Sequence, residues 1–168
     1  MQVHLGARGE KPAACALTIG NFDGVHLGHQ SMLAQLRQYA QLRQLPTALL
    51  TFEPHPREVF ARQSPPARLA TLRDKLGFLA ETGLVDHVFV YRFTRAFSAL
   101  PAEDFIQRIL CDTLHTRYLL IGDDFRFGAK RTGDFAQLAG CPAFETQAMS
   151  TISLLGERIS SSRIRHAL

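Results

Sequence analysis

The chain has 168 residues, 46% hydrophobic and 20% charged, with a formal net charge of +4. These values sit near a soluble globular average and exclude a disordered, collagen-like or coiled-coil chain. The length makes one domain with room for a buried core, and no run approaches the ~18 uncharged apolar residues that a membrane helix needs.

Met1 to Gly6 holds no apolar run of the secretory type. The three cysteines, Cys15, Cys111 and Cys141, are odd in number and far apart. They build no disulfide framework or zinc knuckle, and a reducing cytoplasm is the simplest setting. The cations are mostly arginine, with Lys11, Lys75 and Lys130 the only lysines. A planar guanidinium fork suits bidentate phosphate contacts, and the mild basic excess fits a phosphate-bearing partner.

Taken in chain order, Cys15-Ala-Leu-Thr-Ile-Gly20 is a short apolar run ending at glycine, which reads as a buried strand. His29 to Leu45 carries an apolar stripe at Met32, Leu33, Leu36, Tyr39 and Ala40 and predicts an amphipathic helix closed by Pro46. Thr47 to Phe52 is the next strand, ended by Pro54 and Pro56. Glu53 to Arg68 lacks periodicity, holds Pro54, Pro56, Pro65 and Pro66, and reads as a long surface loop. Thr71 to Thr82 predicts a helix: Thr71 and Asp74 have capping-box spacing, Leu72, Leu76 and Leu79 share a face, and Gly83 stops it. Val85 to Tyr91 is strand-like. Pro101 to Leu114 predicts a helix with Phe105, Ile109 and Leu110 inward. Arg117 to Gly122 is a further strand, Asp123 to Gly140 a loop, and Ser160-Ser-Ser-Arg-Ile-Arg165 a helix start. The alternation predicts an α/β fold with a mainly parallel sheet flanked by helices.

The segment that carries most chemistry is Gly20-Asn-Phe-Asp-Gly-Val-His26-Leu-Gly28-His29. It leaves a strand and opens a helix, the position of the ligand crevice in an open parallel sheet. Its glycines let backbone approach a ligand, and the helix start offers free amides to an anion. Together these make a phosphate site with two imidazoles and no nucleophile. Two duller readings of the histidines stay open: hydrogen-bonded core residues, or zinc ligands. No Cys, Asp or Glu at matching spacing completes a tetrahedral zinc set there. Gly-x4-Gly-Lys-Ser/Thr, Gly-x-Gly-x-x-Gly and Gly-x-Ser-x-Gly are all missing from the chain. Arg158-Ile-Ser160-Ser-Ser162-Arg-Ile-Arg165 combines hydroxyls, a helix start and arginines, enough to hold a polyphosphate tail. Ile121-Gly122-Asp-Asp124-Phe-Arg-Phe127-Gly128 follows a predicted strand, and Thr51-Phe52-Glu-Pro-His55-Pro56 ends one.

These segments in this order resemble the nucleotidyltransferase superfamily. More closely, Thr18 to His29, Phe52 to Pro56 and Gly122 to Gly128 resemble the bacterial bifunctional riboflavin kinase/FMN adenylyltransferases, or FAD synthetases. The similarity spans roughly Leu17 to Leu168. Ser160-Ser161-Ser162 stands where the family has Ser-Ser-Thr, and the 140–157 stretch is short for the family. The resemblance implies a Rossmann-like nucleotidyltransferase fold and a single adenylyltransferase domain over 1–168, without the family's C-terminal riboflavin kinase domain. It implies that ATP and FMN give FAD and pyrophosphate, with Mg²⁺ on phosphate oxygens and no metal held by side chains alone.

In that scheme His26 and His29 donate to the α-phosphate region. Gly20, Asn21, Phe22 and Gly28 contact ATP through the turn. Asp124, Arg158, Ser161, Ser162 and Arg165 complete the ATP site, the last four gripping the outer phosphates. Phe52, Pro54, His55, Pro56, Phe125 and Phe127 lie on the FMN side. The expected partners are these small molecules, with no nucleic acid, no membrane, a cytoplasmic location and the oligomeric state open. A transferase with another phosphate acceptor, or a module that binds flavin or ATP without turnover, are the competing expectations.

Overall fold

The computed structural model describes residues 1–65 and 67–149 in full, the backbone of 153–154 and 157–158, and residue 164. Six strands form one sheet: β1 (Gln2–Leu5), β2 (Cys15–Ile19), β3 (Thr47–Glu53), β4 (His87–Arg92), β5 (Thr116–Gly122) and β6 (Glu145–Met149). Their order is β1-β4-β3-β2-β5-β6 and every pairing is parallel. The helices are α1 (Leu27–Leu42), α2 (Pro56–Phe60), α3 (Leu72–Thr82), α4 (Arg95–Ser98), α5 (Ala102–Asp104) and α6 (Phe135–Ala139). α5 runs directly into a π-helical stretch, Phe105–Thr113, and Ala129–Arg131 forms one 3₁₀ turn. Ser153–Leu154 (β7) and Glu157–Arg158 (β8) pair antiparallel outside the sheet.

Alternation along each central strand divides the core between the two faces. Leu17, Ile19, Leu50, Phe89, Tyr91, Leu119 and Ile121 point to one face, where Phe105 and Leu110 of the π-helix and Leu138 of α6 cover them. Leu49, Val88 and Val90 point to the other, against Leu33 of α1 and Leu79 of α3. Tyr118 and Leu120 meet Leu36 and Ala40 on that second face. Both faces are covered, so the strands read as unbroken apolar runs, as the sequence shows.

The architecture agrees with the expected α/β class, and the sheet is parallel throughout. The helix over 71–82 keeps its predicted ends. Thr71 accepts from the Asp74 amide, Asp74 reaches back to the Thr71 amide, and Gly83 takes the left-handed conformation at φ 63°. Other boundaries moved. The first helix starts at Leu27, not His29, and ends at Leu42, short of Pro46. The 53–68 and 123–140 stretches contain α2 and α6, helices of five residues each, too short to show a periodic stripe. The 101–114 helix buries Ile106 with Phe105 and Leu110, and Ile109 is only partly covered.

Two edge strands, β1 and β6, and the four-residue α4 were unforeseen. In β1 the pattern is inverted: Val3 and Leu5 are exposed while His4 is buried, stacked on Phe89 at 4.6 Å and bonded to His87 at 3.1 Å. β6 is polar, and Gln147 meets the Tyr118 and Tyr39 hydroxyls at 2.9 and 3.0 Å.

Candidate functional site

β2 stands at the point where the chain changes direction across the sheet. Its exit runs through α1 to β3 on one side, while its other neighbour, β5, is reached by helices on the opposite face. In open α/β sheets the crevice at such a switch point, beyond the carboxyl ends of the strands, receives the ligand. The register sets Thr18 beside Leu120 and Ile19 beside Leu50. The segments leaving β2, β3 and β5 therefore emerge side by side, and these are the three motifs singled out in the sequence.

The first segment is a contorted turn. Phe22, Gly24 and Val25 all have left-handed φ, at 49°, 78° and 40°. For a β-branched residue such as Val25 this conformation is costly and marks a place held by its surroundings. Several contacts hold it. Thr51 of β3 donates its hydroxyl to the Asn21 carbonyl at 3.2 Å. The Asp23 carboxylate accepts from the amides of Leu69 and Ala70 at 3.1 and 3.2 Å. Gln30 donates to the Val25 carbonyl at 3.0 Å. A side chain on Gly20 would stand 3.0 Å from the Phe22 ring, so Phe22 closes over bare backbone there.

The turn ends at His26, which is the N-cap of α1 and makes no side-chain capping bond. His29 is the third residue of the helix, so both imidazoles sit on its first turn. They stack at 3.7 Å between centroids, and Phe22 covers the other side of His29 at 4.4 Å. The first turn of α1 contains no acid. An uncapped helix start without a carboxylate is open to an external anion.

Burial, then the neighbouring His26 and Lys75, hold the His29 pKa down to about 3. Burial also lowers His26, opposed by the Asp23 carboxylate. Both imidazoles are thus neutral hydrogen-bonding groups at neutral pH. Asn21 Oδ1, His26 Nδ1 and His29 Nδ1 are buried without hydrogen-bond partners among the described residues. Buried polar atoms of native proteins are seldom left unmatched, and three on one turn point to a ligand that completes them.

At the end of β3 the Glu53–Pro54 peptide is cis. His55 caps α2, its Nδ1 accepting from the Arg57 amide at 3.1 Å, with Pro56 in the first turn. Phe52 faces Phe93 at 5.7 Å and Phe97 at 5.6 Å. Phe60, 49% exposed, meets Phe93 edge-on at 6.0 Å. Phe60, Phe93 and Phe97 thus join Phe52 in an aromatic surface that sequence periodicity did not reveal, because its members come from β3, α2 and the segment after β4.

At the end of β5, Asp124 is exposed and its Oδ1 lies 3.4 Å from where a Gly122 side chain would begin. Phe125 is half-buried, whereas Phe127 is 6% exposed and packs on Phe105 at 5.4 Å, within the core. Gly20, Asn21, Phe22, His26, Gly28 and His29 thus come together on one turn. Phe52, Pro54, His55 and Pro56 lie at the adjacent strand end on one side, and Asp124, Phe125 and Phe127 on the other. The side chain of Arg158, together with Ser161, Ser162 and Arg165, lies outside the described residues.

Sequence reasoning also missed Lys75, 5% exposed, and named Thr51, buried in β3, only as the first residue of a motif, with no role of its own. Lys75 had a signal, being a lysine on the apolar stripe of α3 between Leu72 and Leu79.

The parallel sheet, the crevice at its switch point and the paired histidines at the start of the first helix define a Rossmann-like nucleotidyltransferase fold. A family model described as FAD synthetase matches residues 9–163. The chain belongs to the FAD synthetase family. It is 49% identical over 157 residues to the bifunctional riboflavin kinase/FMN adenylyltransferase of Escherichia coli (strain K12), a match covering 92% of this chain and 50% of that protein. It is 50% identical over 157 residues to the protein of that name from Haemophilus influenzae, covering 92% of this chain and 51% of that one. The chain thus spans about half the length of the curated relatives it matches. A solved structure described as a macrolide-efflux protein from Streptococcus pneumoniae superposes with a TM-score of 0.88, over 99% of this chain and 57% of that one. Its identity of 22% makes that a likeness of fold alone.

Proposed function

We propose that the chain transfers the adenylyl group of ATP to the phosphate of FMN, giving FAD and pyrophosphate. The observation that carries this reading is the stack of two neutral imidazoles on an uncapped helix start, with three buried polar atoms left unmatched in the sheet's switch-point crevice. Family membership selects FMN over other phosphate acceptors, and the curated relatives' names include the same transfer.

The chemistry needs little from the protein. A phosphate oxygen of FMN forms a bond to the α-phosphorus of ATP, and the bond from that phosphorus to the bridging oxygen breaks. Pyrophosphate leaves with the electron pair. The attacking phosphate is already anionic at pH 7, so no general base is required. Catalysis is then alignment plus stabilisation of charge on the transferring group. In this reading His26 and His29 donate to the α-phosphate oxygens, and the amides at the start of α1 share the task. Neutral imidazoles serve because each keeps an N–H to donate. Gly20, Asn21, Phe22 and Gly28 present backbone to the nucleotide. Asp124 contributes at the end of β5, and Arg158, Ser161, Ser162 and Arg165 take the outgoing phosphates.

On the acceptor side, Phe52 with Phe60 and Phe93 supplies an apolar cluster of edge-to-face rings for a flavin to lie against, with Pro54, His55 and Pro56 at its edge. Phe125 belongs to the same side, and Phe127 supports Phe125 from the core.

Among the described residues there is no group of three His, Cys, Asp or Glu side chains that could cage a metal ion. The described side chains therefore do not fit a protein-held ion. Mg²⁺, implied by the resemblance, is assigned to phosphate oxygens and water, and no step is routed through it.

Among the described residues no helix is long and apolar enough to cross a membrane. We assign the chain to the cytoplasm, where ATP and FMN are at hand, and its residues to adenylyl transfer.

The test is incubation of the chain with ATP, FMN and Mg²⁺, following FAD by chromatography and pyrophosphate release. FAD and pyrophosphate in equal amounts support the reading. Tight binding of both substrates with no pyrophosphate would replace it with a non-catalytic module. Release of pyrophosphate only with another phosphate ester would reassign the acceptor.

A further inference from the structure

Lys75 is a buried lysine on a helix that otherwise presents leucine to the core. It stands in the stripe formed by Leu72, Leu76 and Leu79 of α3, and its Nζ donates to the Thr51 hydroxyl at 3.3 Å. Among the described residues this is the only hydrogen bond of its ammonium group. Thr51, itself 0% exposed, has one proton to give, and gives it to the Asn21 carbonyl at 3.2 Å. Donor polarity therefore runs one way, from Lys75 through Thr51 to the backbone of the histidine turn.

Charge surrounds the same ammonium group. Glu53 and Asp23 attract it most, Glu58 less, and Arg68 opposes them; burial outweighs these and lowers its pKa. Arg68 itself is bonded to Glu53 and Glu58.

A buried cation is expensive to keep, and replacing such a group by a hydrophobic side chain of similar volume is often neutral or stabilising. Its presence on an apolar stripe is thus poorly explained by stability. Its contacts lead instead to the one turn that carries the site.

We propose that Lys75 is a positioning residue for adenylyl transfer, fixing the Asn21 backbone through the Thr51 hydroxyl. The inference rests on the transferase reading above. Asn21 leads into Phe22, and Phe22 stacks on His29, so a shift of the Asn21 carbonyl moves the ring that donates to phosphate.

The variants Lys75→Met, Thr51→Val and Thr51→Ser test it, with kcat and KM for both substrates measured well below each variant's melting temperature. Lys75→Met and Thr51→Val each lower kcat about 10- to 100-fold with smaller changes in KM, the scale of a misplaced catalytic group. Thr51→Ser, which keeps the hydroxyl, stays near wild type. The double variant Lys75→Met/Thr51→Val is no worse than the poorer single one, as two links of one chain require. Wild-type kcat in Lys75→Met, or losses that multiply in the double variant, would overturn the proposal. Thr51→Val keeps the shape of the buried side chain, so the comparison with Thr51→Ser decides the hydroxyl link even where Lys75→Met does not fold.

A second readout is independent of turnover. By nuclear magnetic resonance, the ring signals of Phe22 and His29 shift in folded Lys75→Met and in Thr51→Val and keep their wild-type positions in Thr51→Ser. Unmoved rings in both variants refute the link. If the wild type makes no FAD, the transferase reading fails, and these shifts still judge Lys75.

Discussion

The His26 and His29 rings lie face to face, 18° from parallel, with 3.7 Å between centroids. Two imidazolium ions do not share such a stack in a half-buried site, because like charges at that separation repel strongly. The stack instead suits a pair of neutral donors, as the proposed transfer requires, with Phe22 packed on one side and the first turn of α1 orienting both rings. The first two expectations below concern the stack, and the other two the turn that follows β5.

In the proposed transfer, replacing His29 with alanine removes one donor to the transferring phosphate. We expect kcat to fall about 10²- to 10³-fold, the scale of one lost transition-state hydrogen bond, with the dissociation constant for FMN nearly unchanged. Steady-state kinetics and calorimetry measure the two quantities. Near-normal turnover would remove His29 from the assigned role.

The depressed pKa of His29 makes stability depend on pH. Its free imidazole titrates near 6.5, and in the folded chain burial holds it down to about 3. Between those values the unfolded chain binds a proton that the folded chain does not. Unfolding free energy therefore rises with pH across this window. The contribution is fully present above 6.5 and is lost as pH falls toward 3. Urea unfolding from pH 3 to 7 should show this slope in the wild type and a shallower one in His29→Phe, which keeps an aromatic ring in the stack. Equal slopes would contradict the assignment.

Gly128 has φ 73°, and an added methyl would lie 2.7 Å from the Ala102 backbone. Gly128→Ala therefore suffers both a left-handed strain and a clash, and should lose upwards of about 2 kcal/mol of stability. The strain falls at the end of the 122–128 turn. Thermal unfolding measures the loss, and a melting temperature within a degree or two of wild type would contradict the close approach.

The paired phenylalanines after β5 separate structure from binding. Phe127 is nearly buried against Phe105, and Phe125 is half-buried. Phe127→Ala should lose about 3–5 kcal/mol, as large-to-small core changes do. Phe125→Ala should keep most of its stability and raise KM for FMN above that for ATP. Chemical unfolding and kinetics on the two variants check this, and equal stability losses would contradict it.

Some of this molecule was open to reading from its residue order. The alternation of apolar runs with 3.6-period stripes identified a parallel α/β sheet, and the Thr71–Asp74 capping box with Gly83 located α3 because those signals act over a few residues. The turn with two histidines and three glycines after a strand was visible as a candidate anion site for the same local reason. Its motifs pointed to the family that the comparisons found.

What tertiary structure alone decided are the relations between distant segments. β1 could not be read because its buried residue is a histidine, matched by His87 and Phe89 some 80 positions away. Phe125 and Phe127 look alike in sequence, and only packing against Phe105 makes one of them core. The aromatic surface of Phe52, Phe60 and Phe93 exists only once three segments meet. Lys75 reaches Asn21 only because parallel pairing brings the ends of β2 and β3 together, with α3 packed across them. Local propensity depends on near neighbours and is written in the order of residues, whereas burial, charge coupling and ring stacking depend on contacts that the chain makes only after it has closed.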